Sequence, residues 1–353
     1  MPNQYPVNLK PKFFTLLLTL HTTRPLCHLH SFRSPLIAMN SVHYDFLDDV
    51  FFLLYPSSRL EACKLSGAIG AAAQRAYDHL HHHLFVLTNG ELTYERIDYL
   101  SGHRQPPTVE APLKYLRSTW VALQGDVEEY VIDEDLIERI HSCLNRRSHY
   151  LLVIATSHLT QQAVDFVMSL RKLRVLNIKA ELNETILRIF ATLVSRTKLI
   201  SADLIPPDVN DKFKDLIIQL VVQKQFVTLN VQSPAIIEAI VELWMKEPEK
   251  LSGTTVGISE SSEESTNCQQ LGDLFRDKLR LCSDEENTVF EKATLCASRP
   301  LANPVSKAYI YECPEVQDKE DKMYILFEID EYDPAMEVSV VFENSERIEI
   351  YFV

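Results

Sequence analysis

The stretch LRVLNIKAELNETILRIFATL, residues 173–193, opens as a buried strand and becomes an amphipathic helix within a few residues. Leu173, Leu176 and Ile178 follow an L-x-x-L-x-L spacing, and Asn183 stands where a helix N-cap belongs. The pattern recurs along the chain. HYLLVIA begins at 149, KLISADLI at 198, FVTLNVQ at 226 and LSGTTVGIS at 251. Helical periodicity follows the first four of these five strands at 159–171, 183–196, 210–224 and 233–247, and STWVALQGD (118–126) with the helix at 134–146 forms an earlier copy. A constant period of about 25 residues marks stacked units. Strands separated by helices must run parallel, with the helices covering a face.

The glycines argue the same way. Only eight occur, and neither G-x-G-x-x-G nor G-x-x-x-x-G-K-[ST] is among the motifs, so the amide cradle of a nucleotide fold is missing. With 35 basic against 49 acidic residues the net charge is −14, which argues against nucleic acid as a partner. Seven cysteines at 27, 63, 143, 268, 282, 296 and 313 include no C-x-x-C pair, so no zinc knuckle or redox dithiol is expected. Cys63 and Cys143 read as small hydrophobes, and reduced thiols fit a cytoplasmic or nuclear protein.

Catalytic and metal chemistry finds little support. No G-x-S-x-G is present, and His141 and Cys143, two apart on a helix, point to different faces. Asp48-Asp49 and Glu128-Glu129 read as solvated surface. His79 and His83 would share a helix face and are the best metal candidates of the cluster His79, His81, His82 and His83. Lacking an H-E-x-x-H glutamate or a third ligand, the cluster reads instead as an exposed helix end. Asn183-Glu184-Thr185 matches a glycosylation sequon, though a helix cap accounts for it better. No enzyme activity, cofactor or metal is expected.

The flanks differ from the repeats. Lys10 and Lys12 precede FFTLLLTL (13–20), a run too short to span a membrane and lacking a cleavage site, so 1–38 reads as a disordered or misassigned extension. Residues 39–83 form a helical module. Phe46, Val50 and Leu53–Leu54 recur at helical spacing, Pro56-Ser57-Ser58 ends that helix, and Ser58 caps a second through Leu60, Cys63 and Leu65. Gly67 and Gly70 should break it before a third helix that reaches about residue 82. In LFVLTNGELTYERIDYL (84–100), Asn89-Gly90 predicts a hairpin with a type I′ turn. The proline-bearing linker 101–114 is the expected domain boundary, leaving 115–353 as the repeat domain. Beyond 252, GISESSEESTNCQQ (257–270) reads as an exposed loop in which Ser261, three residues before Glu264, is a candidate phosphorylation site. Helices at 268–281 and 285–297 and strands at 307–313, 322–330, 337–343 and 347–353 then form an antiparallel cap.

NSVHYDFLDDVFFLL (40–54), followed by a hairpin and degenerate leucine-rich-like repeats, resembles the large nematode family of divergent F-box proteins, over Met39 to Val353. The resemblance implies an α/β fold in which an F-box-like module precedes a leucine-rich-like βα solenoid. It also implies a substrate-recruiting adaptor of a cullin–RING ubiquitin ligase that is not itself an enzyme. A Skp-type adaptor protein would dock on Val42, Phe46, Val50, Leu54, Leu60 and Cys63, and the repeats would hold an unknown protein substrate. The alternative is a repeat scaffold that binds proteins without ubiquitin chemistry. Neither reading involves a membrane.

Overall fold

A computed structural model describes residues 44–53, 56–99, 101–102, 104–105, 112–145, 147–206, 208–259, 271, 274–275, 278–283, 286, 308–311, 322–328 and 347–353. The expectations for 1–38, for Ser261 and for the strand at 337–343 lie outside these residues, as do Val42 and Leu54.

The chain begins with three helices, α1 (Tyr44–Leu53), α2 (Pro56–Cys63) and α3 (Gly67–His79). The hairpin β1 (His81–Thr88) and β2 (Glu91–Tyr99) follows, with the two-residue β3 (Arg104–Gln105) beside it. Asn89 at φ 56° and Gly90 at φ 86° make the expected turn. Gly90 also admits the Val131 carbonyl, whose oxygen would lie 1.8 Å from any Cβ placed there.

Strand and helix then alternate as β4 (Leu116–Gln124), α4 (Glu134–Ser142), β5 (His149–Ala155), α5 (Gln161–Ser169), β6 (Leu173–Ile178) and α6 (Glu184–Ser195). They continue as β7 (Ser201–Leu204), α7 (Asp211–Val221), β8 (Thr228–Val231), α8 (Pro234–Lys246) and β9 (Thr255–Ser259). Four further strands, β10 (Leu279–Leu281), β11 (Ala308–Tyr311), β12 (Met323–Glu328) and β13 (Arg347–Phe352), complete one open sheet. Among the described residues its order is β10-β11-β12-β13-β9-β8-β7-β6-β5-β4-β1-β2-β3. The centre, β1 and β4 to β9, is parallel; both ends are antiparallel.

From β4 to β9 each strand lies beside its predecessor, so crossovers of constant hand carry α4 to α8 to the same face. Burial agrees. Leu152, Ile154, Leu176, Ile178, Leu204 and Leu229 are almost wholly buried beneath those helices. Their neighbours in the strands, Val153, Asn177, Asp203 and Asn230, are only half-buried on the helix-free face. Phe190 of α6 and Phe213 of α7, with ring centroids 5.1 Å apart, join adjacent units in the core.

The units of α4 to α6 are tied at both ends. Asp133, Thr160, Asn183 and Asn210 cap α4 to α7 by accepting from backbone amides, Asn183 from Ile186 N at 2.9 Å. At the other end Lys172 Nζ donates to Asn145 O, Arg196 Nη1 to Met168 O and Gln223 Nε2 to Val194 O, at 2.7, 2.8 and 2.8 Å. These bonds reach carbonyls at or just beyond the end of the preceding helix, back one unit each time.

Several expectations are corrected. Helix α3 stops at His79, and His81 to His83 belong to β1, because a buried alternation running through Phe85 and Leu87 extends the strand backwards. Gly67 starts α3 at φ 76° and Gly70 lies inside it, where a Cβ would strike the Leu65 carbonyl at 1.8 Å. Ser58 lies within α2, which begins at Pro56. The boundary at 101–114 does not divide the sheet, since β1 pairs directly with β4 across it. Gly257 to Ser259 belong to β9, pairing with β13 rather than looping out, and Leu279 to Leu281 form a strand instead of a helix end.

Candidate interaction surfaces

The helical module has its own small core. Leu47, Phe51 and Phe52 of α1 meet Ala62 of α2, Ala72, Ala73 and Ala76 of α3, and Leu80 and Tyr115 at the approaches to β1 and β4. Arg59 is buried beside them and donates from Nε to Phe51 O at 2.9 Å. Burial, then the nearby Arg117, lowers its pKa to about 10. Of the residues expected to dock an adaptor, Leu60 is 46% exposed, Cys63 is half-buried and Val50 is turned inward at 8%. Phe46 lies on α1, and its side chain is outside the described set. Leu60 and Leu65 are the exposed large apolar side chains of this module among the described residues.

His81, His82 and His83 take part in hydrogen bonds of the sheet and its approaches. Being consecutive in a strand, they point alternately to its two faces. His83 Nε2 lies 2.8 Å from Glu95 Oε1 on β2, and Arg139 of α4 bonds the other carboxylate oxygen, tying helix to hairpin. On the opposite face Ser118 Oγ lies 2.6 Å from His82 Nδ1 and accepts from Trp120 Nε1 at 2.7 Å. Burial, followed by the charge of Arg117, pushes His82 down to about 3; burial, then Arg174 and Arg117, pushes His149 down to about 4. Both are neutral imidazoles at physiological pH. Among the described residues no group of three or more His, Cys, Asp or Glu is placed to hold a metal. Burial raises the pKa of the Cys143 thiol, which disfavours the reactive thiolate.

The helix-free face changes character along the sheet. Near β1 and β2 it carries Trp120 and Tyr94, 37% and 44% exposed, with the Arg96 guanidinium 5.3 Å above the Tyr94 ring. Towards the middle it becomes polar. Asn177, Asp203 and Asn230 stand in register on β6, β7 and β8, and Asn177 Nδ2 donates to Asp203 Oδ2 at 2.8 Å.

The edge where the parallel strands begin holds a feature that sequence reading missed. Arg147, Arg171, Lys172, Arg174 and Lys198, all exposed, line a groove of about 470 Å³ together with Thr197. No acidic residue lines it among those described. Thr197 holds φ 50°, a left-handed backbone that a β-branched residue rarely adopts. Four of the cations come from three loops in separate units, one or two per loop, and Arg174 from the start of β6, so the basic character is spread along the sequence. Aligning the repeats by their strand starts would have exposed them, since parallel register brings every such loop to one edge.

No protein-family model matches the chain, and no curated protein matches it. Among the described residues no helix is long and apolar enough to cross a membrane.

Proposed function

We propose that this chain is a protein-interaction adaptor, in which α1 to α3 dock a Skp-type protein of a cullin–RING ubiquitin ligase and the leucine-rich-like solenoid holds the substrate. The observation that carries this reading is the separation of two cores. The helices keep a small apolar cluster of their own towards one end of the sheet, and among the described residues no helix covers the sheet's other face. Leu60 and Leu65 supply an apolar contact for docking. Co-purification with a Skp-type protein, abolished by Leu60→Asp or Phe46→Asp while the fold persists, is the expected result. Failure to recover such a protein from native extract would reject the ligase role.

The inward turn of Val50 favours a second reading, a scaffold without ubiquitin chemistry, because it removes one expected docking side chain. In that case partners bind the intact chain equally well whether or not Leu60 is replaced.

A further inference from the structure

We infer that the groove lined by Arg147, Arg171, Lys172, Arg174 and Lys198 holds a short acidic segment of a partner protein. The inference deepens the interaction reading by naming the chemistry of the partner, and rests on that reading for its biological meaning.

Helix C-termini attract cations, and that alone would account for about one basic residue per loop. The loop before β6 carries two and Arg174 follows on β6 itself, so five cations face one groove with no acid among its described lining residues. Lys172 already ties its loop to the preceding one through Asn145 O, which accounts for its position in the fold. A second sign of positive potential comes from inside the sheet edge. His149, at the start of β5, is held neutral first by burial and then by Arg174 and Arg117.

Spacing suits a peptide. Adjacent strands lie about 4.8 Å apart, while same-side side chains of an extended chain repeat at about 6.6 Å, so two or three carboxylates meet cations from three successive loops. Charge balance disfavours a longer polyanion. The chain carries −14 overall, so a long polyanion meets net repulsion from the molecule as a whole. A short Glu- or Asp-rich segment ends before the repulsion begins.

The test is fluorescence anisotropy of the full chain with a labelled ten-residue Glu-rich peptide, beside a Gln-matched peptide, a Lys-rich peptide and a single-stranded oligonucleotide. The expected result is saturable binding of the Glu-rich peptide alone, weakened at least tenfold by raising salt from 50 to 300 mM (about a halving of the Debye length). Arg171→Glu with Arg174→Glu should weaken it at least tenfold. Arg188→Glu with Lys212→Glu, on the α6–α7 surface, should change it less than twofold. Arg171→Gln and Arg174→Gln serve if the reversal disturbs folding, judged by thermal melting. Equal binding of the Gln peptide, tighter binding of the oligonucleotide, or equal loss from the α6–α7 pair would each overturn the inference. No Skp-type protein is present in this assay, so its outcome is separate from that of adaptor docking.

Discussion

At the edge where the parallel strands end, Asp133, Glu134, Asp135, Glu181, Glu184, Asp208 and Asp211 are exposed around the starts of α4, α6 and α7. At the opposite edge, where the helices end, Arg147, Arg171, Lys172, Arg174 and Lys198 are exposed. Both arrangements follow the helix dipole, which favours acids at N-termini and bases at C-termini. The edges differ in how that charge is engaged. On the acidic edge, Asp133 accepts from the amides of Asp135 and Leu136, and Asn183 and Asn210 cap their own helices beside it. On the basic edge, Lys172 and the half-buried Arg196 act as ties between units, but the groove gathers cations beyond those ties around a strained Thr197. Charge on both edges therefore serves folding in part, and on the basic edge the cations also frame a groove.

The harshest way to break the comparison is to remove what holds both edges in place. Phe213→Ala, at a fully buried position beside Phe190, should lower stability by about 3–5 kcal/mol, measured by denaturant unfolding. It should loosen both edges together.

Acid sharpens the contrast. His82 and His149, neighbours of Arg117 close to the basic edge, are neutral when folded and take up protons only as the chain unfolds. Their contribution to stability is therefore complete above pH 6.5 and is lost as pH falls toward about 4 and about 3. A tenfold difference in proton affinity between folded and unfolded chain is worth about 1.4 kcal/mol, so the loss by pH 4.5 should reach a few kcal/mol. His149→Gln should flatten the melting-temperature profile below pH 6.5; an unchanged profile would contradict the assignment.

Single caps and ties have smaller effects. Asn183→Ala on the acidic edge should destabilise by about 1 kcal/mol, because Ile186 N loses its acceptor. Thr197→Gly should move stability the other way, by about 1 kcal/mol, since glycine accepts a positive φ without strain. Arg196→Met should cost about 1 kcal/mol or less, as Met168 O loses one donor.

The fold is largely legible in the sequence because apolar periodicity repeats: β4 to β9 and α4 to α8 fall where the spacing predicts, and Asn183 and Asn89-Gly90 act as their chemistry requires. Errors arise where local signals are ambiguous. His81 to His83 follow a helix without a breaking residue, and they become a strand by pairing with Tyr99, Asp98 and Ile97 on β2 and with Leu116, Ser118 and Thr119 on β4, more than thirty residues away. Gly70 reads as a helix breaker because its packing role depends on the Leu65 carbonyl. The expected strand at 198 begins instead at Ser201, since Thr197 turns the chain and Lys198 enters the groove. The groove itself is invisible in the sequence, being assembled from residues that lie as far apart as Arg147 and Lys198.

Hydrogen exchange of the full chain with and without the Glu-rich peptide tests the difference between the edges most directly. The account predicts slowed exchange confined to the loops at 145–149, 171–174 and 197–200. Protection centred on 126–135, 181–184 and 208–211, or none at all, would contradict it.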